Sequence, residues 1–483
     1  MFVLALSLYN TWNRGVFLLC KITNLLIYRI MNKKLTATKA ATICYGFGDL
    51  ASQFVWTYVG SYLTIYYTDI VGLAPVAVSA IMMLARIWDA INDPMMGAIA
   101  ERTRSKFGRF RPYIAFGAPL LAIFSVLTFT NPFSGNSAAG VIWAAVIYII
   151  AGMLYTLVNI PYGAMAAVMT EDADQRNVLN TSRNIGMNLG MVIVNGASAG
   201  LALKFSGAGA EVANGHGYMM VALIYAIIAV PMFLIVFFTS KEVVQPVEEP
   251  KPFSFKETVN NLIKNKYLMI ITLVMALQMT AFMGRIAITS YYVIYCLGSF
   301  TMIALIMTIP SLGGIVGSFF VPFFAKKFGK RNVLMGSMII QGIGLVIMYL
   351  APFDNMNMVL AGDIIFGLFN VGFPMSLSMV ADSVDYMELK TGVRTDGTAY
   401  ATYGLATKFG NAVGGAFGIL IMGAFGYVAN AEQTAQALNG INFTVNLLPA
   451  ILFFLAAATC LLWRMSDKDA EEIRAQLREK QNV

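Results

Sequence analysis

The run ARIWDAINDPMMG sets Arg86, Asp89, Asn92 and Asp93 inside an apolar stretch. On a helix, Asp89 and Asp93 are one turn apart. Arg86 and Asn92 lie three residues either side of Asp89, which predicts that all four share one face. Two carboxylates with an amide between them form an oxygen-rich site. Such a site suits a hard monovalent cation, or a proton held against carboxylate repulsion. Pro94 frees a backbone carbonyl about one turn earlier, a further oxygen for coordination. A second reading stays open: Arg86, Asp89 and Asp93 as a self-neutralising structural cluster.

Further polar groups fall in apolar stretches: Asp49, Gln53, Thr156, Asn159, Arg183, Arg285, Asp363 and Lys408. Charges are costly in hydrocarbon, so each needs a partner or a hydrated cavity. Lys408, in YATYGLATKFGNAVGG, requires a counter-charge, and Asp89 and Asp93 are the candidates. Asp49 reads either as a helix cap or as half of a local pair. Arg285 and Asp363 read as structural or vestibular. Aromatic side chains beside forked polar groups suit sugar rings, whose C–H faces lie on aromatic planes while hydroxyls meet Arg, Asn and Gln. Tyr58, Tyr62 and Tyr66 recur every four residues, and Tyr155 adjoins Thr156. The tyrosine stripe reads equally as ordinary packing.

The elements that carry these groups must be membrane helices. Of 483 residues, 58% are hydrophobic and 12% charged, against about 25% charged in a soluble protein. Val141–Met169 and Val221–Ser240 lack any charge, and each is long enough to span hydrocarbon, which takes about 20 residues. Spans are expected at 42–67, 75–98, 111–130, 139–168, 186–203, 218–239, 267–296, 301–324, 333–351, 357–380, 400–427 and 441–463. The loops alternate in charge. Asp69–Ala74, Asn131–Gly140, Pro352–Met358 and Val428–Gly440 have no Lys or Arg. The intervening loops carry Arg102 to Arg111, Arg176 and Arg183, Lys326 to Arg331, and Lys390 and Arg394. The positive-inside rule puts the basic set, and both termini, in the cytoplasm.

The expected architecture is therefore an all-α membrane protein with twelve transmembrane helices in two six-helix halves. The halves run over 42–240 and 267–464, with a Pro- and Glu-bearing cytoplasmic linker at 241–266 and a cytoplasmic tail at 465–483. GAIAERTRSKFGRFRP and VPFFAKKFGKRN place basic residues around a glycine at matching points of the two halves. Parallel six-helix repeats are the plan of the major facilitator fold. Residues 1–41 form an N-terminal segment without signal-peptide features. Its first 30 residues read either as an over-extended start ahead of Met31 or as an interfacial helix. The net charge of +8 is spent on loops beside spans, which excludes nucleic acid as the expected partner. The four cysteines have no disulfide or metal spacing. His216, the single histidine, has no nucleophile or metal set around it, so an enzyme is not expected.

These motifs also carry a resemblance. RIWDAINDP with TRSKFGRFRPYI, YGFGDLASQF through YYTDIVG, GMLYTLVNIPYG, MVADSVDYMELKTGVRTDGTAY and Lys408 together resemble the glycoside–pentoside–hexuronide:cation symporter family, from Tyr45 to the last span. The resemblance implies Asp89, Asp93, Asn92 and Thr156 as cation ligands, with Asp89 and Asp93 holding the metal if sodium is the ion. It implies Arg183, Tyr155, Gln53 and Asn159 at the sugar, and Lys408 linking the two sites. Where melibiose/sodium members of the family have two carboxylates and a tryptophan, this chain has Gln53, Asn159 and Gly163. That departure predicts a pentoside, a hexuronide or a small oligosaccharide rather than a galactoside. The implied activity is sugar:cation symport by alternating access in a bacterial inner membrane, by a monomer. The coupling cation is Na+, Li+ or H+, and no cofactor takes part. A sugar sensor that does not transport is the alternative, set against by the short charged tail from Ser466.

Overall fold

A computed structural model describes residues 37–133, 135–170, 173–243, 263–392 and 396–481. The expected N-terminal segment up to residue 36, linker residues 244–262 and Arg394 lie outside them. Helices, joined by turns and short loops, are the only regular elements among these residues. Helix α1 runs as Lys39–Cys44 and Gly46–Ile65 and ends in a π-turn, Tyr66–Ile70. Then come α2 (Pro75–Arg102), α3 (Arg111–Leu127), α4 (Ala138–Met169), α5 (Ala173–Phe205) and α6 (Gly215–Thr239). Helix α7 (Lys266–Tyr291) also ends in a π-turn, Tyr292–Cys296. It is followed by α8 (Met302–Phe328) and α9 (Lys330–Leu350). Helix α10 comes in two pieces, Met356–Leu368 and Gly372–Thr391, and α11 spans Asp396–Ala424. Helix α12 combines Ala435–Asn442, the π-turn Phe443–Leu447 and Leu448–Cys460, and α13 is Asp467–Gln481. Among the described residues, nine helices are long and apolar enough to cross a membrane, and Arg111–Leu127 and Met356–Leu368 are shorter apolar helices.

The packing repeats. In the first group α1 lies on α5 and α6, α3 on α4 and α6, and α2 on α4. In the second, α7 lies on α11 and α12, α9 on α10 and α12, and α8 on α10. The groups meet where α1 touches α7, α2 touches α11 and α5 touches α8. Close backbone approach needs glycine at the equivalent α1–α5 and α7–α11 crossings. A Cβ on Gly186 would lie 2.0 Å from the carbonyl oxygen of Gly46, and one on Gly414 would lie 2.4 Å from that of Thr280. Small residues let lipid-embedded helices approach through backbone contact, where dispersion replaces the hydrophobic drive.

An acidic residue closes each group at its basic end. Glu242, just after α6, accepts backbone N–H bonds from Arg109 (2.8 Å), Phe110 (2.8 Å) and Arg111 (3.2 Å) at the start of α3. Asp467, just after α12, accepts the backbone N–H of Lys330 at the start of α9 (3.1 Å). Both use the partial positive charge of a helix N-terminus.

The largest departures from the sequence expectation fall in two helices, α5 and α10, the latter running to Thr391 where an end at 380 is expected. Helix α5 begins at Ala173 rather than residue 186, because Gln175, Arg176, Asn180, Arg183 and Asn184 lower its apolar signal without breaking the helix. Span ten is interrupted after Leu368: Gly372 comes so close to Gln278 that a Cβ there would lie 2.2 Å from its side-chain nitrogen.

Candidate cation and sugar sites

Helix α2 brings Asp89 and Asp93 to a pocket of about 140 Å³, shared with Trp56 of α1, Tyr155, Thr156 and Asn159 of α4, and Lys408 and Asn411 of α11. The α4 backbone comes close because residue 152 is glycine; a Cβ there would be 3.2 Å from Asp89 Oδ1. Asp93 Oδ1 accepts the Thr156 hydroxyl (2.7 Å), and its other oxygen pairs with the Lys408 ammonium. Arg86 Nη1 bonds Asp89 Oδ2 at 3.2 Å, and its Nη2 donates to the Tyr148 hydroxyl at 3.3 Å. Both carboxylates thus have a basic partner, as a structural cluster would, yet an open volume adjoins them. Lys408 meets the carboxylate its sequence position demanded.

Asn92 does not join the pocket lining, and its amide nitrogen is buried without a partner. At about 100° per residue, Asp93 and Arg86 turn to one side of Asp89 and Asn92 to the other. The expected single face therefore holds for three of the four residues.

A larger cavity of about 310 Å³ lies beside the pocket. Gln53, Thr57 and Arg86 line it on one side, Arg285, Ser311 and Phe366 on the other. Trp56, Arg86 and Asn411 line both cavities. Gln53 Oε1 accepts the Thr57 hydroxyl (2.6 Å), and Asn159 donates to the Ser52 hydroxyl (3.2 Å). Tyr155 stacks on Trp56 with centroids 4.3 Å apart, and the Arg86 guanidinium lies 5.2 Å from a Trp56 ring centroid. Trp56 and Asn411 are the residues missed above. Each lies three positions after a chosen one, Gln53 and Lys408, which is the helical-face signal that could have found them.

Arg183 lines neither cavity. Its Nε pairs with Asp49 at 2.7 Å, and the guanidinium sits 4.8 Å from the Tyr162 ring centroid. Asp49 is therefore half of a local pair. A Cβ on Gly163 would lie 3.8 Å from Arg183, an ordinary contact, so residue 163 adjoins the guanidinium without itself requiring glycine. Tyr58, Tyr62 and Tyr66 pack against Phe129, Tyr218 and Tyr225, away from the cavity wall. The stripe is packing; the larger cavity takes its aromatic wall from Trp56, Tyr148, Phe282 and Phe366, while Tyr155 lines the smaller pocket against Trp56. Arg285, in the second wall, pairs at 2.6 Å with Asp363, which is buried behind it. Four pairs, Arg86–Asp89, Arg183–Asp49, Arg285–Asp363 and Lys408–Asp93, leave this interior formally neutral.

A repeated helical bundle with a carboxylate pocket opening beside a polar, aromatic-walled cavity defines a membrane carrier of the facilitator type. Residues 44–467 match the model of the MFS/sugar transport protein family, and the chain belongs to that family. It is 34% identical over 441 residues to an isoprimeverose transporter of Lactiplantibacillus pentosus, covering 90% of each chain. It is 28% identical to a glucuronide carrier protein homolog of Escherichia coli K12, covering 91% of this chain and 95% of that one. Among solved structures, a D-xylose–proton symporter superposes with a TM-score of 0.63 at 17% identity, over 88% of this chain and 97% of the other. An inward-facing bacterial Spinster homologue gives 0.64 at 15%, over 89% and 97%. These two show the fold.

Proposed function

We propose that the chain is a secondary active transporter that moves a sugar together with a monovalent cation by alternating access. The carrying observation is the wall common to both cavities, Trp56, Arg86 and Asn411, which makes the ion pocket and the sugar cavity neighbours. A cation entering between Asp89 and Asp93 takes the place of the Lys408 ammonium on Asp93. The released ammonium and the reordered wall then favour sugar hydroxyls, and by linkage sugar favours the cation equally. Na+, Li+ and H+ all suit a carboxylate pair.

The architecture that fits this reading is twelve spans in halves 42–240 and 267–464, joined by the linker at 241–266 and followed by the tail at 465–483. The basic loops lie in the cytoplasm of a bacterial cell, and the loops without Lys or Arg lie outside. One chain suffices, since both cavities are built within it. The substrate class is a pentoside, a hexuronide or a small oligosaccharide. Support comes from the amides Gln53 and Asn159 where melibiose carriers have carboxylates, and from relatives named for isoprimeverose and glucuronide.

The test is uptake of labelled isoprimeverose, a glucuronide and melibiose into proteoliposomes under imposed Na+, Li+ or H+ gradients. Accumulation above the outside concentration with one of these cations is expected. Folded protein that accumulates none of the sugars with any of the cations would sink the reading. Melibiose uptake alone would remove the substrate class.

A further inference from the structure

Asp69 has no part in either cavity, yet it ties the two groups of helices together at the end whose loops lack Lys and Arg. It lies in the π-turn that ends α1, and Tyr295 lies in the matching π-turn of α7. Such turns rotate side chains off the regular helical face and recur at working sites. Asp69 Oδ2 accepts the Tyr295 hydroxyl at 2.5 Å, and Oδ1 accepts both Thr68 of its own helix (2.5 Å) and Tyr427, just beyond α11. The Asn430 side chain donates to the Asp69 backbone carbonyl. Asn430 holds a left-handed backbone, φ 55°, which asparagine tolerates better than most residues. The Tyr295 and Tyr427 rings meet edge to face at 5.5 Å.

Below this cluster the contact continues toward the cavity. The Thr68 and Tyr291 hydroxyls are 2.7 Å apart, Thr64 donates to the Ala287 carbonyl (2.9 Å), and Ser290 donates to that of Ser61 (3.2 Å). Ser61, Thr64 and Ala287 line the large cavity. Asp69 therefore caps a column of hydrogen bonds between the two groups of helices that runs from this end to the cavity lining. Among the described residues no Lys or Arg pairs with it, unlike Asp49, Asp89, Asp93 and Asp363, each of which has a basic partner. Its partners are hydroxyls, which water can replace when the column parts, leaving no buried cation behind.

We propose that Asp69, with Tyr295, Tyr427 and Asn430, is the outer gate: the latch that holds the periplasmic side shut and releases when the carrier turns outward. The inference rests on the alternating-access reading above, but its test needs neither sugar nor coupling ion. Gly60 lines the cavity and has open space at its Cβ position, so Gly60→Cys supplies a reporter. Labelling by an impermeant maleimide is compared in right-side-out and inverted vesicles, with the native chain as background. Asp69→Asn keeps the side-chain shape but replaces one acceptor oxygen by a donor. It is expected to raise labelling from outside at least fivefold and to lower labelling from inside. Tyr295→Phe with Tyr427→Phe keeps both rings, removes both donors, and should shift the two rates the same way. The Phe pair carries the test if Asp69→Asn does not reach the membrane. Unchanged rates in either inserted variant, or a rise on both sides as unfolding would give, overturns the gate. Absent uptake with the expected labelling would instead count against symport alone.

Discussion

In the cation site proposed at Asp89 and Asp93, replacing Asp93 with asparagine removes one of two negative charges while keeping an oxygen near Thr156. A cation about 4 Å from a carboxylate gains about 4 kcal/mol at an effective dielectric constant of 20. The Asp93 side chain is 13% exposed, so water screens part of this, and a loss of about 2–4 kcal/mol is expected. At 1.4 kcal/mol per decade, cation affinity should fall about 30- to 700-fold. Calorimetric titration of the purified protein with Na+, Li+ and H+ reads this without knowledge of the sugar. Concentrative uptake should vanish, while sugar exchange down a gradient persists. Native cation affinity in Asp93→Asn, or full accumulation by it, would show that Asp93 is a structural partner of Lys408 and nothing more.

Lys408→Gln frees Asp93 from its ammonium. Cation binding should tighten about tenfold, given a pair only partly buried, and should no longer respond to sugar. Weaker binding would contradict the displacement step. Gly186→Ala drives a methyl group into the Gly46 carbonyl, where neither backbone can yield, and should cost about 1–3 kcal/mol, seen as a lower Tm in detergent. Gly404→Ala faces open space and should leave Tm unchanged.

The parts of this architecture that were legible in sequence are those with strong one-dimensional signals. Charge inside an apolar run marked Asp89, Asp93 and Lys408, and their pairing follows from the cost of leaving either charge alone. Runs of apolar residues marked most helices. Where a helix turns a polar face to the interior, as α5 does around Gln175 to Asn188, that signal fails before the helix does. Asn92 was misplaced because residues three apart share a face only within about 60°, so two such steps in opposite directions diverge. Trp56 gives no such signal, because tryptophan in a membrane helix ordinarily marks the interface. The Asp69 cluster draws on the ends of α1 and α7 and the loop beyond α11, a meeting that only the folded repeat reveals.

The balanced interior has an electrical consequence. With every charge at the two cavities matched, the unloaded carrier adds no net charge when it reorients. One bound cation with a neutral glycoside then carries a single positive charge across the bilayer, so the membrane potential contributes about 2.3 kcal/mol per 100 mV, or about 50-fold accumulation. A cation with an anionic uronide carries none and would be indifferent to voltage. The same four ion pairs thus make the substrate's own charge decide whether the cell's electric field powers its entry.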